Sequence, residues 1–132
     1  GETFVPGTAF VRRVLGEVFC IRRGQGGIPM DEQQQRVKDL MARYGLGTDP
    51  QVRMLDLSSE VGELAKEVLK STAYGTRSFT PTASLEEERG DCLFSLLCLS
   101  QCLGLEGEAA LGKALEKYEK RFAERGTIGH RT

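Results

Sequence analysis

In the stretch LSSEVGELAKEVLK, Leu57 to Lys70, the apolar residues fall at Leu57, Val61, Leu64 and Val68. That three- and four-residue spacing marks one face of a helix. The period predicts a helix from about Pro50 or Gln51 to Ser71. Three further segments read the same way. One covers about 31–44, with Asp31 as candidate N-cap and Gly45 as its stop. A second runs from about 85 to 103, with Ser84 and Glu87 spaced as a capping box. GLEGE breaks it, and a last helix runs from about Glu108 to Arg125, before the polar tail GTIGHRT. GLGTDP is a turn, and TAYGTRSFTPTAS, with Gly75 and Pro81, is a loop. The pattern contains no internal repeat and no low-complexity segment.

Residues 1–29 differ from the rest, being Gly-rich, basic and poor in acid. Phe10, Val11, Val14, Leu15, Val18 and Phe19 recur in pairs at helical spacing, which favours a helix. The alternative is a short hairpin whose tight turn is LGEV at 15–18, with Gly16 at the position needing positive φ. RRGQGGIP then reads as a linker. The chain thus divides into an N-terminal extension, 1–29, and a core domain, 30–132. Gly1 as first residue reads as a processed or engineered end.

Bulk composition narrows the function without naming it. A chain of 132 residues suggests one domain, and 39% apolar with 28% charged residues is ordinary for a globular protein. The 18 basic and 19 acidic residues nearly balance, so no nucleic-acid or membrane partner is called for. Cys20, Cys92, Cys98 and Cys102 form no C-x-x-C pair and read as reduced, buried thiols of a cytoplasmic protein. His130, the single histidine, sits in the tail, which argues against a zinc site. The apolar run Cys92–Leu103 is too short to span a bilayer, and Arg12 and Arg13 interrupt any signal-peptide core.

The acids are the unusual feature. Glu60, Glu63 and Glu67 line the edge of the second helix's apolar stripe. Acids three and four apart repel, so a purely structural helix gains nothing from them. The third helix opens with Glu86, Glu87 and Glu88, and Asp91 follows at the mouth of an apolar run. The helix dipole accounts for Glu86 and Glu87 but poorly for Asp91, which lies a turn inside. Glu60/Glu63 and Glu88/Asp91 are both i,i+3 pairs, and each pair projects to one side of its helix. On neighbouring helices of a bundle, four carboxylates would converge. Oxygen ligands alone select Mg²⁺ or Mn²⁺. The bland alternative is a pair of solvated acidic edges.

SEVGELAKEVLK, 24 intervening residues between Glu63 and Glu88, and EERGDCLFSLLCL resemble the MazG-like, all-α nucleoside triphosphate pyrophosphohydrolases. The family pattern is E-x-x-E, a variable spacer and E-x-x-D. Glu60-Val61-Gly62-Glu63 and Glu88-Arg89-Gly90-Asp91 supply it, and ALEKYEKRFAERGTIG is similar to the closing helix. The resemblance covers about 30–132. It implies an all-α bundle of about four core helices, completed by dimerisation into a homodimer or homotetramer. It implies Mg²⁺-dependent hydrolysis of a (deoxy)nucleoside triphosphate to monophosphate and pyrophosphate, with a house-cleaning role. Glu60, Glu63, Glu88 and Asp91 would be the metal-binding and catalytic acids. Glu60, then Glu67, is the candidate to take a water's proton.

Lys113, Lys117, Arg121 and Arg125 form a basic stripe on the last helix beside Leu111, Leu115, Tyr118 and Phe122. The resemblance makes Lys117, Tyr118 and Arg121 candidate nucleotide contacts, and the alternative is a solvated face paired with Glu116, Glu119 and Glu124. Lys66, Lys70 and Arg77 are further candidates, and the loop at 72–83 is a candidate cover. Leu93, Phe94, Leu96, Leu97, Leu99 and Leu103 point in most directions, so the third helix expects burial on more than one side. Two rival readings stand beside this one: a phosphoribosyl-ATP-type pyrophosphohydrolase and a non-catalytic helical adaptor.

Overall fold

The computed structural model describes residues 10–14, 17–21 and 29–129. Four helices form the core: α1 (Met30–Tyr44), α2 (Pro50–Ser71), α3 (Leu85–Cys102) and α4 (Gly107–Arg125). Ahead of them, β1 (Phe10–Val14) and β2 (Glu17–Ile21) pair antiparallel, with Phe10 opposite Ile21 and Val14 opposite Glu17. The helix favoured for this segment is therefore corrected to a hairpin. Paired apolar positions suit either period, and the β-branched and aromatic residues at 10, 11, 14, 18, 19 and 21 favour strands. The expected turn at Leu15–Gly16, most of the linker (22–28) and His130 lie outside the described residues.

The helix bounds follow local chemistry. At the start of α2, the Asp49 carboxylate accepts from the Gln51 N–H at 2.8 Å, and Pro50 occupies the first turn. Gly45 ends α1 and Gly126 ends α4, both left-handed, at φ 63 and 68. Two expected caps do not form. Pro29 holds the N-cap position of α1, and Asp31 lies inside the helix with its Oδ1 accepting from the Glu32 N–H. Ser84 precedes α3 in a helical conformation and makes no side-chain cap bond, so the Ser84/Glu87 capping box is absent.

α2 and α3 form the most extensive helix pair, α1 packs on α3, and α4 packs on α1. Contacts run Glu67 to Thr82, Glu60 to Glu88 and Asp91, and Arg53 to Cys98, so α2 and α3 are antiparallel. Small residues are buried on these helices, Ser71 on α2 and Ser95 and Cys98 on α3, and Cys98 lies beside Arg53 of α2. The corner from α3 to α4 turns through 103° and is held by one side chain. The buried Gln34 amide of α1 donates to the Leu105 carbonyl at 2.7 Å and to Gln101 Oε1 at 3.2 Å, and its oxygen accepts from the Gly107 N–H at 2.6 Å. Gly107 suits this contact, since a Cβ there would come within 3.1 Å of Leu97 and 3.2 Å of Gln34.

Among the described residues, the buried apolar core of one chain is only Met41 and Cys98. Leu93, Leu96 and Leu103 of α3 and Leu111, Leu115 and Phe122 of α4 remain about half exposed. Cys92, Cys98 and Cys102 are free thiols, of which Cys98 alone is buried. No single helix among the described residues is long and apolar enough to cross a membrane.

The Gln34 clamp is testable. Gln34→Ala strands a partly buried N–H and carbonyl at the α3–α4 corner. Denaturant unfolding should show a loss of about 1–3 kcal/mol, the usual cost of such unpaired groups.

Candidate active site

The acids meet midway along the α2–α3 seam. One carboxylate oxygen each from Glu60, Glu88 and Asp91 lies within 4.8 Å of the others. Glu60 and Glu88 are half-buried and Asp91 is exposed. Glu60 reaches the seam because it falls one heptad from Glu67 and from Arg53 on the α2 face that meets α3. Glu63, three residues on, stays outside the tight trio. It is exposed, and its carboxylate lies 4.0 Å from Lys66 Nζ.

The electrostatics follow from the convergence. Burial pushes the Glu88 carboxyl above the usual glutamate range, and the charges of Asp91, Glu63, Glu60 and Glu67 add to it. Desolvation, then Glu60, Asp91 and Glu88, also hold the neighbouring Cys92 as a thiol. None of the cations on α4 is among the charges that shift Glu88. The cluster is thus a concentration of acids at the seam between two helices, half-buried at Glu60 and Glu88 and open to solvent at Asp91.

Glu67 is placed differently from its neighbours. It is 6% exposed, its Oε1 accepts from Lys70 Nζ at 2.6 Å and its Oε2 from the Thr82 hydroxyl at 2.8 Å. Those hydrogen bonds hold its carboxyl below the usual range. A carboxylate with both oxygens engaged is a poor proton acceptor, so its rank as second candidate base loses support. Thr82 carried no signal in the sequence beyond being one hydroxyl among several in a loop.

The candidates on α4 are not brought to the acids within one chain. Lys117 Nζ sits 4.7 Å and Arg121 Cζ 5.7 Å from the Tyr118 ring centroid, a small cation–π cluster on the helix that packs against α1. Lys66 and Lys70 pair with Glu63 and Glu67 respectively. Arg77 is exposed in the α2–α3 connection.

Two helices of an all-α bundle thus bring a tight cluster of carboxylate oxygens together at one antiparallel seam, a donor set of the kind that suits a hard divalent ion. The chain belongs to the MazG nucleotide pyrophosphohydrolase family, whose domain matches residues 49–125. It is a hydrolase acting on phosphorus anhydrides, and enzymes of this family generally depend on a divalent metal. The Bacillus subtilis protein YpjD is 38% identical over 81 residues, 59% of this chain and 71% of that protein. The crystal structure of YpjD superimposes with a TM-score of 0.61 at 33% identity, covering 74% of this chain and 99% of that one. The Bacillus-conserved MazG protein, described as a nucleotide pyrophosphohydrolase, gives 0.60 at 30% identity over 71% of this chain and 93% of its own. The Escherichia coli nucleoside triphosphate pyrophosphohydrolase is 38% identical over 68 residues, and this chain spans only 26% of its length.

The raised Glu88 pKa has a definite sign for stability. The folded state holds that proton more tightly than the unfolded state, so metal-free stability falls as pH rises from the ordinary glutamate value through the raised one. Glu67 acts oppositely: its contribution is present above the ordinary value and is lost as pH falls through its lowered one. Melting curves in chelator from about pH 4 to 8 should therefore show Glu88→Gln gaining stability over wild type across the upper part of that range. An unchanged difference between the two at every pH would contradict it.

Proposed function

We propose that this chain hydrolyses a nucleoside or deoxynucleoside triphosphate to the monophosphate and pyrophosphate at Glu60, Glu63, Glu88 and Asp91, using Mg²⁺ or Mn²⁺. The observation that carries the reading is the convergence of Glu60, Glu88 and Asp91 to within 4.8 Å from two facing helices. The donor set fits such an ion: its atoms are hard carboxylate oxygens, and the repulsion among them is what a divalent cation relieves. Glu60, Glu88 and Asp91, with Glu63 beside them, would hold it. When bound, the ion would offset the negative charge of acids and polyphosphate and make water a better nucleophile.

The chain's own groups would supply the rest. Glu60 would take the proton of the attacking water at its carboxylate. That water's oxygen joins phosphorus while a phosphoanhydride bond breaks, and pyrophosphate and the nucleoside monophosphate result. Lys117 and Arg121 would bind phosphate oxygens and Tyr118 would lie against the base. Because α4 packs on α1, these residues would serve the acids of a neighbouring copy. The half-exposed leucines of α3 and α4 support a homodimer or homotetramer that buries them. Clearance of non-standard nucleotides from a cytoplasmic pool is the role that suits this reaction.

Pyrophosphate release from a nucleotide panel tests the reading. Release should require Mg²⁺ or Mn²⁺ and stop in excess chelator. Glu63→Gln and Asp91→Asn should abolish it with the fold intact, whereas Glu86→Gln, exposed and paired with Arg89 at 3.0 Å, should retain it. Full turnover in chelator, or equal loss from all three substitutions, would reject the site.

Arg121→Ala tests the α4 stripe. Nucleotide binding or turnover should weaken by about 1.5–3 kcal/mol, as for hydrogen bonds to charged groups. Arg121→Lys should recover only part, because the two-pronged contact is lost. The ligand-free melting temperature should barely move. Unchanged kinetics with altered stability or oligomeric state would remove α4 from the active site.

A further inference from the structure

We infer that Glu67 is a positioning residue: through Thr82 it fixes where α3 begins, and so how Glu88 and Asp91 face Glu60. The inference rests on the reading of those acids as the ion's ligands. It gives a task to a buried charge that the reaction itself does not use.

A carboxylate removed from water needs its oxygens satisfied. Both Glu67 oxygens are, but the two partners differ in consequence. Lys70 lies one turn along the same helix, so its 2.6 Å pair with Oε1 is local. Thr82 belongs to the segment that leads into α3, so its 2.8 Å bond to Oε2 ties one helix to the start of the next. Glu67 is itself held, since the fully buried Ser71 hydroxyl donates to its main-chain carbonyl at 2.8 Å.

Among the described residues, the Thr82 bond is the one side-chain hydrogen bond that ties the start of α3 to α2, beside apolar Leu64, Val68, Pro81 and Leu85, which line one cavity there. Ser84 makes no capping bond. The Leu85 N–H reaches the Thr82 carbonyl at 3.3 Å, and the Glu88 N–H bonds the Ser84 carbonyl at 3.0 Å. Thr82 is therefore linked by successive backbone bonds to the turn that carries Glu88. Two residues before Thr82, the Thr80 N–H bonds the Ser71 carbonyl at 2.7 Å, a backbone tie from the same part of the connection to the end of α2.

The strut opposes a defined force. Like charges on Glu60, Glu88 and Asp91 push α3 away from α2, and they do so about two helical turns from Glu67, roughly 10 Å along α2. Pairing with Lys70 offsets the negative charge of Glu67, so the strut adds little to that repulsion. Without the Thr82 bond, the first turn of α3 would relax outward, and an ion would have to draw the acids together again as it bound.

The test measures ion binding directly. Free Mn²⁺ is titrated by its paramagnetic resonance signal against the full chain without nucleotide, and pyrophosphate release is followed separately. Thr82→Val removes the donor while keeping the side-chain shape and the Glu67–Lys70 pair. Mn²⁺ should bind about tenfold more weakly, the scale on which groups supporting metal ligands act. Turnover at saturating Mn²⁺ should largely recover, and Thr82→Ser should restore wild-type binding. Glu67→Ala should weaken binding at least as much; should it fail to fold, the Thr82→Val and Thr82→Ser pair decides alone. A lowered melting temperature with unchanged Mn²⁺ affinity in Thr82→Val would overturn the inference. Absence of Mn²⁺ binding by the wild-type chain would instead overturn the underlying reading of the acids, before any substitution is made.

Discussion

Three carboxylates held against one another between two helices are the constraint around which this chain is organised. Electrostatics alone would part α2 and α3 at that point. At its loop end the seam is bonded by the Thr82 hydroxyl to Glu67 and by the Thr80 N–H to the Ser71 carbonyl. Burial and neighbouring charge favour a retained proton on Glu88. A divalent cation at the proposed site would relieve the repulsion among these acids through coordination.

The same bias against self-sufficiency appears in the apolar residues. α3 and α4 display leucines and a phenylalanine that one chain leaves half exposed, while its own buried apolar core reduces to Met41 and Cys98. Hydrophobic burial is the main favourable contribution to folding, and one chain leaves much of it unrealised on α3 and α4. Assembly into the oligomer proposed above would bury these residues and would also bring α4 cations to the acids.

The helical part of the fold was plain in the sequence because its signals are local. The stripe of Leu57, Val61, Leu64 and Val68, the start near Pro50, the stop at Gly45 and the break at GLEGE depend only on near neighbours along the chain. The two acid pairs were legible for the same reason: i,i+3 spacing fixes a shared direction once the helix is granted. What failed was also instructive. The pairs of apolar residues between Phe10 and Phe19 fit two periods, and the β-branched residues among them outweighed the helical spacing. Asp31 and Ser84 have capping chemistry, but backbone geometry placed one inside its helix and the other in a helical conformation before it. Glu67 read like Glu60 and Glu63, and only the fold shows that Thr82, 15 residues away, engages it. Likewise, no local pattern places Lys117, Tyr118 and Arg121 relative to the acids, because that depends on how α4 leaves the corner that Gln34 holds.

The connection between α2 and α3 is fastened near both ends. Ala73 and Tyr74 take positive φ values of 45 and 56 as the chain leaves α2, Thr80 bonds back to Ser71, and Thr82 bonds back to Glu67. At the tip between these fastenings, residues 75–77 fold back onto Thr72 and Ala73 through local bonds, and among the described residues none of 75–79 bonds α3. Closing a longer loop costs only slowly rising entropy. That tip is thus a place where the chain can be lengthened, cut or exchanged while the acids keep their spacing, a tolerant insert between two intolerant halves of one site.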